Sequence, residues 1–159
     1  MSSKLLKTWN SLDRKPFGGW IFSQIIGRLI PYTGSIKPKV LHLEPGYAEV
    51  MLKDRRAVRN HLNCIHAIAQ MNLAEFCTGL AMTAQLGDRG RAIITELSMS
   101  YLKKGRGTLV ARCRCPEFRI DSPQDLTLMA DVFNAEGEIV SQGKALWRIA
   151  PHRKQENPD

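Results

Sequence analysis

The sequence predicts an α+β fold in which one long central helix is wrapped by a curved antiparallel sheet, with two short helices ahead of it. Three observations carry this. Residues 66–86, "HAIAQMNLAEFCTGLAMTAQL", are apolar nearly all the way round and hold one formal charge, Glu75. Segments with the two-residue period of strands lie on both sides of that stretch, while the first thirty residues show a four-residue apolar spacing. A helix that is apolar on every face must be covered on every face, and strands before and after it supply a sheet that can curl about it.

The elements follow in order. Leu5, Trp9 and Leu12 are spaced by four and three, and Phe17, Ile21, Ile25 and Leu29 by four. These are two short amphipathic helices, separated near Pro16, Gly18 and Gly19. Residues 1–33 therefore read as a helical segment packing on the domain. A sharper alternative is an element that covers a membrane surface or an acyl chain. After Pro31 the period changes to that of strands, and "IKPKVLHLE" and "YAEVMLK" flank the turn Glu44–Gly46 as a hairpin. The basic connection "DRRAVRNHLNC" leads into the long helix, expected over His66–Leu86 and roughly 30 Å long. "GDRG" at Gly87–Gly90 stops it. Four strands follow. In "TLVARCRCPEF", Leu109, Ala111, Cys113 and Cys115 alternate with Arg112 and Arg114, a half-buried strand with one basic face. Residues 34–150 form one domain, and the polar tail 151–159 is expected to fray.

Composition bounds the partners. A chain of 159 residues is one ordinary domain with room for a core. A net charge of +8 favours a polyanionic partner: nucleic acid, membrane lipid or a phosphorylated small molecule. Nucleic acid is disfavoured, because the basic residues are scattered and neither an aromatic-rich strand motif nor a basic recognition helix is present. The four cysteines, Cys64, Cys77, Cys113 and Cys115, form no Cys-x-x-Cys pair, so neither a structural metal nor a disulfide framework is expected. The apolar run "WIFSQIIGRLI" is broken by Ser23, Gln24 and Arg28. Neither a signal peptide nor a membrane span is read there, and a cytoplasmic setting is the expectation.

Glu75 is the residue that asks for a function. Its neighbours Leu73, Ala74, Phe76 and Cys77 are apolar. Ionising an unpaired carboxylate in a dry core costs several kcal/mol, so Glu75 is either paired structurally or used chemically. His66 lies nine residues earlier, about 180° round the helix and roughly 13 Å along it. If both act in one reaction, Glu75 of one chain must meet His66 of another, or His66 must lie off the helix start. Covering the long helix on all sides also needs the sheet plus something else, and a second copy of the chain is the economical candidate.

The segment "NHLNCIHAIAQMNLAE" resembles that of hotdog-fold acyl-CoA thioesterases of the phenylacetate-pathway type. There Asn-x-x-Gly-x-x-His-Gly-Gly is followed, nine residues after the His, by a catalytic Asp or Glu. Asn60, His66 and Glu75 match those positions, whereas Asn63, Ala67 and Ile68 stand where the glycines are expected. The whole chain is more similar to an uncharacterised thioesterase-like branch of that superfamily. The resemblance implies a hotdog fold and an acyl-CoA (acyl-thioester) hydrolase working at a homodimer interface, with dimers of dimers also compatible. Backbone N–H groups of Ala67 and Ile68 would hold the oxyanion, and Glu75 from the facing subunit would act as general base or as nucleophile. Asn60 would orient water or the leaving group, and His66 would position the loop. Arg55, Arg56 and Arg59, or Lys103, Lys104 and Arg106, would meet the phosphates of coenzyme A, which enters as part of the substrate and not as a cofactor. A further polar residue often supplied from the strand after the helix has no clear match: Thr95 and Ser98 are near, and Ile94 falls at the place itself. The alternative is a non-catalytic acyl or acyl-CoA binding protein on the same scaffold.

Overall fold

In the computed structural model, which describes residues 4–152, the N-terminal stretch forms three helices: α1 (Lys4–Leu12), α2 (Gly18–Leu29) and α3 (Pro31–Ser35). The third was not expected, because the sequence changes directly to a strand period after Pro31. Pro31 occupies the first turn of α3, where its fixed φ and missing N–H are accommodated without loss. Trp9 of α1 packs edge-on against Phe22 of α2 with ring centroids 5.1 Å apart, which fastens the two helices together.

The hairpin forms as expected from β1 (Lys39–Glu44) and β2 (Tyr47–Leu52), and Gly46 in its turn adopts a φ of 75°. A 3-10 turn at Arg56–Val58 precedes α4 (Ala67–Leu86). After a second such turn at Gly87–Arg89 come β3 (Gly90–Tyr101), β4 (Leu109–Arg114), β5 (Gln124–Phe133) and β6 (Ile139–Pro151). All pairings are antiparallel, in the order β1-β2-β4-β5-β6-β3. Strand β6 takes in Pro151, the first residue of the expected tail, and residues 153–159 of that tail lie outside the described residues.

The sheet wraps α4, the hotdog arrangement. Leu73, Ala74, Cys77 and Ala81 of the helix are fully buried, together with Val50, Leu52, Leu109, Ala111 and Val132 of the sheet. Helix and sheet approach most closely where Ala74 faces Gly143 of β6: a Cβ on Gly143 would lie 2.5 Å from the Ala74 Cβ. Polar ties fix the helix lengthwise. Gln70 Nε2 donates to the Ile65 carbonyl at 2.9 Å, and Gln70 Oε1 accepts from Ser141 Oγ at 2.7 Å. Trp147 Nε1 donates to Thr78 Oγ1 at 3.3 Å. Gln70 is satisfied inside its own chain, and Asn72 Nδ2 lies 3.5 Å from the Tyr32 carbonyl.

The two sheet edges differ. Helix α2 covers β1: the Val40 N–H donates to Ser23 Oγ at 2.9 Å, and the Ser23 hydroxyl donates to the Gly19 carbonyl at 2.6 Å. Strand β3 is an open edge of twelve residues, on which Ile93 is 65% exposed. Its pairing with β6 slips between Ile94 and Glu96, so Thr95 is the extra residue of a bulge. Because of that slip, Ala92, Ile94, Leu97 and Met99 all pack inward.

The loop entering α4 is held by Asn60. Its Oδ1 accepts from the N–H groups of Leu62 (2.9 Å) and Cys64 (3.1 Å), and its own N–H donates to the Cys64 carbonyl at 2.8 Å. Asn63 adopts a φ of 53°, the left-handed conformation for which glycine would be used. Asparagine is among the side chains that best tolerate it, so the missing glycine has a conformational substitute. His66 lies outside the helix as its N-cap, with Nδ1 accepting the Ile68 N–H at 3.1 Å, and α4 starts one residue later than the apolar run suggests.

Two substitutions test these constraints by denaturant unfolding. Asn63→Val is expected to destabilise by about 1–2 kcal/mol, while Asn63→Gly holds or raises stability. Gly143→Ala is expected to lose about 1–3 kcal/mol by forcing helix and sheet apart.

Candidate functional site

Ile68, Met71, Asn72 and Glu75 recur at helical spacing and form the one face of α4 that the sheet leaves partly open. Ile68 is 50% exposed although it sits in the first turn of an otherwise buried helix. This face, Tyr32 of α3 and residues Ile94–Leu97 of β3 enclose a largely apolar cavity of about 450 Å³. Glu75 lies on its wall. Among the described residues no hydrogen bond or ion pair reaches the Glu75 carboxylate; outside the helix's own backbone ladder, the residue's one bond is that accepted by its backbone carbonyl from Thr78 Oγ1 at 2.8 Å. Burial without a partner pushes its carboxyl above the ordinary glutamate range.

A second cavity, about 310 Å³, adjoins the first through Tyr32, Ile68 and Asn72 and is bordered by Ser35, Arg59 and His66. It is the more polar of the two. Arg59 is gripped by Asp54 in a two-pronged pair, Nε to Oδ1 at 2.7 Å and Nη2 to Oδ2 at 3.1 Å, and this pairing holds the Asp54 carboxyl below its usual range. Arg55 Nη2 donates to the Ser35 carbonyl at 2.8 Å, which pins the loop to α3. Arg56 has no such tie among the described residues. Lys103 is paired with Glu138 at 2.6 Å, away from both cavities.

The structure thus brings Glu75, Ile68 and Thr95 to one cavity and His66, Arg59 and Ile68 to its neighbour. Thr95 presents its side chain beside the bulge, with Oγ1 donating to the Leu146 carbonyl at 3.2 Å. Asn60 and Ala67 flank the helix start, while Arg55 and Arg56 line neither cavity. The Ile68 N–H is already taken by His66, whereas the Ala67 N–H forms no hydrogen bond among the described residues, as befits the first turn of a helix. The Asn60 side-chain amide N–H group is likewise unengaged among the described residues.

Sequence reasoning missed Tyr32, Met71, Glu96 and Leu97. For the strand residues a signal exists: the inward alternation Ala92, Ile94 resumes at Leu97, Met99, one residue out of step, which marks the bulge. Tyr32 carries no local signal, since only the fold carries α3 to the helix. The four cysteines are free and buried. Burial pushes the thiols of Cys113 and Cys115 up to about 12 and about 11, so neither supplies a thiolate nucleophile at neutral pH. Among the described residues, none of the helices is long and apolar enough to cross a membrane.

Comparison with known proteins places this geometry. A structural-genomics protein designated APC5556 superposes with a TM-score of 0.78 at 28% identity, covering 92% of this chain and 98% of its own. Protein PA5026 of Pseudomonas aeruginosa, of unknown function and described as a probable thioesterase, superposes with a TM-score of 0.75 at 20% identity, covering 82% and 93%. A mutant of the phenylacetic acid degradation protein PaaI from Thermus thermophilus gives a TM-score of 0.63 at 24% identity, covering 74% and 97%. The latter two likenesses speak for the fold. No curated protein matches the chain. A family model matches residues 18–149, taking in α2, α3, the whole sheet but its last two residues, and α4: the chain belongs to the family described as Domain of unknown function DUF4442, built on the hotdog fold.

Proposed function

We propose that the protein is an acyl-thioester hydrolase, with acyl-CoA as substrate, acting as a homodimer in which Glu75 is the general base. The observation that carries this is an unpaired, desolvated carboxylate on the wall of a largely apolar cavity. Such a group is expensive to keep and has the raised proton affinity that suits a base. Glu75 takes a proton from water as the water oxygen attacks the thioester carbonyl carbon. The C–S bond then breaks, the proton passes to the leaving thiolate, and a carboxylic acid and a thiol depart. The Ala67 N–H, at the positive end of α4, stabilises the oxyanion. His66 fixes the helix start by holding the Ile68 N–H, and the free Asn60 amide orients the water or the leaving sulfur. Thr95 borders the carbonyl site. Arg56, with Arg55 and Arg59 beside it, meets the phosphates of coenzyme A.

The edges of the sheet support a dimer. With β1 covered by α2, pairing between copies falls to the long open β3. A two-fold axis perpendicular to the sheet reverses the direction of both β3 and α4. In such a dimer Glu75 of one chain faces the Asn60–Ile68 segment of the other.

Thiol release from a panel of acyl-CoA thioesters tests the proposal. Glu75→Gln is expected to lower kcat by roughly 10²–10⁴-fold with the dimer intact. Full activity in that variant, or saturable binding of acyl-CoA with no turnover by the wild type, rejects hydrolysis by Glu75. A single turnover in ¹⁸O water tests the nucleophilic route, because an anhydride that water opens at the Glu75 carbonyl leaves the label in that carboxylate and an unlabelled acid product.

The pH dependence has a definite sign. Activity needs ionised Glu75, so kcat/KM falls as pH drops through a value above the ordinary glutamate range. Stability moves oppositely: the folded state holds the Glu75 proton more tightly than the unfolded chain, so this contribution is full below the unfolded value of 4.5 and is lost as pH rises through the folded one. Glu75→Gln is therefore expected to raise Tm at pH 7 while removing activity, measurable in the same preparation by calorimetry.

A further inference from the structure

We infer that the N-terminal helices build an acyl-chain subsite, so that the substrate is the thioester of a medium-length, uncharged aliphatic acid; the inference takes the carbonyl position from the hydrolase reading above. A third cavity, about 240 Å³, lies between these helices and α4, walled by Leu5 of α1, Ile26 and Ile30 of α2, Phe76 and Leu80 of α4, and Trp147 of β6. Glu75 lines it as well as the 450 Å³ cavity. The polar cavity beside Arg59 and His66 shares Tyr32, Ile68 and Asn72 with the one at β3, which in turn shares Glu75 with the apolar one under the N-terminal helices. A thioester with its carbonyl at Glu75 has two arms to place. In the dimer proposed above, the polar, phosphate-bearing arm belongs with the arginine and histidine of the facing chain, and the hydrocarbon arm with the leucines, isoleucines and tryptophan beside Glu75.

Gly79 shows that the cavity is kept open. It is the single glycine of α4 and lies on the cavity wall. A glycine in the middle of a helix weakens it relative to alanine. Nothing forbids a larger residue there: its φ is ordinary, and a Cβ would lie 3.5 Å from the Trp147 ring, a normal contact. This contrasts with Gly143, where a Cβ collides with Ala74. Protein interiors rarely leave apolar voids of this size unfilled. On the scale of a cavity of about 150 Å³ that accepts benzene, 240 Å³ accommodates roughly nine or ten carbon atoms. A terminal carboxylate on the acyl chain is disfavoured, both by the apolar walls and by repulsion from Glu75.

The test is kcat/KM of the full-length dimer for acetyl-, hexanoyl-, decanoyl- and hexadecanoyl-CoA, with Gly79→Leu to fill the cavity and Gly79→Ala as a milder change should leucine prevent folding. The wild type is expected to peak near decanoyl. The decanoyl-to-acetyl ratio is expected to fall by about 10-fold or more in Gly79→Leu, and Gly79→Ala to move the optimum to a shorter chain. A flat chain-length profile, or a ratio unchanged in both variants, overturns the subsite while Glu75-dependent hydrolysis still stands. If no thioester is hydrolysed, calorimetric titration with the thioether S-decyl-CoA decides separately. Binding that weakens in the Gly79 variants supports the subsite without the hydrolase, and no binding, or binding that is equal in all three proteins, rejects it.

Discussion

The structure depends on one requirement, that a helix apolar on nearly every face be kept out of water. Leu73, Ala74, Cys77 and Ala81 of α4 are fully buried, and no flat sheet could cover a helix so completely. The sheet therefore curls, and small residues set how closely it can do so. Gly143 lies against Ala74, so the backbone of β6 reaches the helix surface there. Hydrophobic burial alone would let the helix slide or turn. Bonds from Ser141 to Gln70 and from Trp147 to Thr78 hold it in one register, with the Ile68–Glu75 face toward the gap between β3 and the N-terminal helices.

That orientation makes Glu75 chemically distinctive. A carboxylate turned to solvent would have an ordinary proton affinity, and one turned into the sheet would need a cation. At the junction of two apolar cavities it has neither water enough nor a partner, and burial raises its proton affinity while leaving access for a small molecule. The neighbouring cations are already committed: Arg59 to Asp54, Arg55 to the Ser35 carbonyl. Neither guanidinium pairs with the Glu75 carboxylate.

The loop before α4 shows how a motif can lose its glycines and keep its shape. Asn63 takes the left-handed conformation itself, and Asn60 closes the turn through two backbone N–H groups. Ala67 and Ile68 are helical, a conformation that does not require glycine. What limits the loop is its supply of free N–H donors. His66 claims that of Ile68, and the Ala67 N–H remains.

The elements whose burial repeats locally could be read from the chain: α4, the hairpin around Gly46 and the alternating strand of Leu109–Cys115 all arise where periodicity and turn residues agree. The oddness of Glu75 was equally visible, because one charge among apolar neighbours needs no fold to be noticed. The rest required contacts between distant residues. Helix α3 is too short to show a period, and Tyr32 meets α4 only because the chain folds back. The bulge at Thr95 is a matter of register with β6, and the commitments of Gln70 to Ser141 and of Arg59 to Asp54 depend on which side chains the fold brings within reach. Local sequence encodes which face of an element avoids water. It does not encode which surface will cover that face, and so the cavity at Glu75 emerges only when sheet, central helix and N-terminal helices pack together.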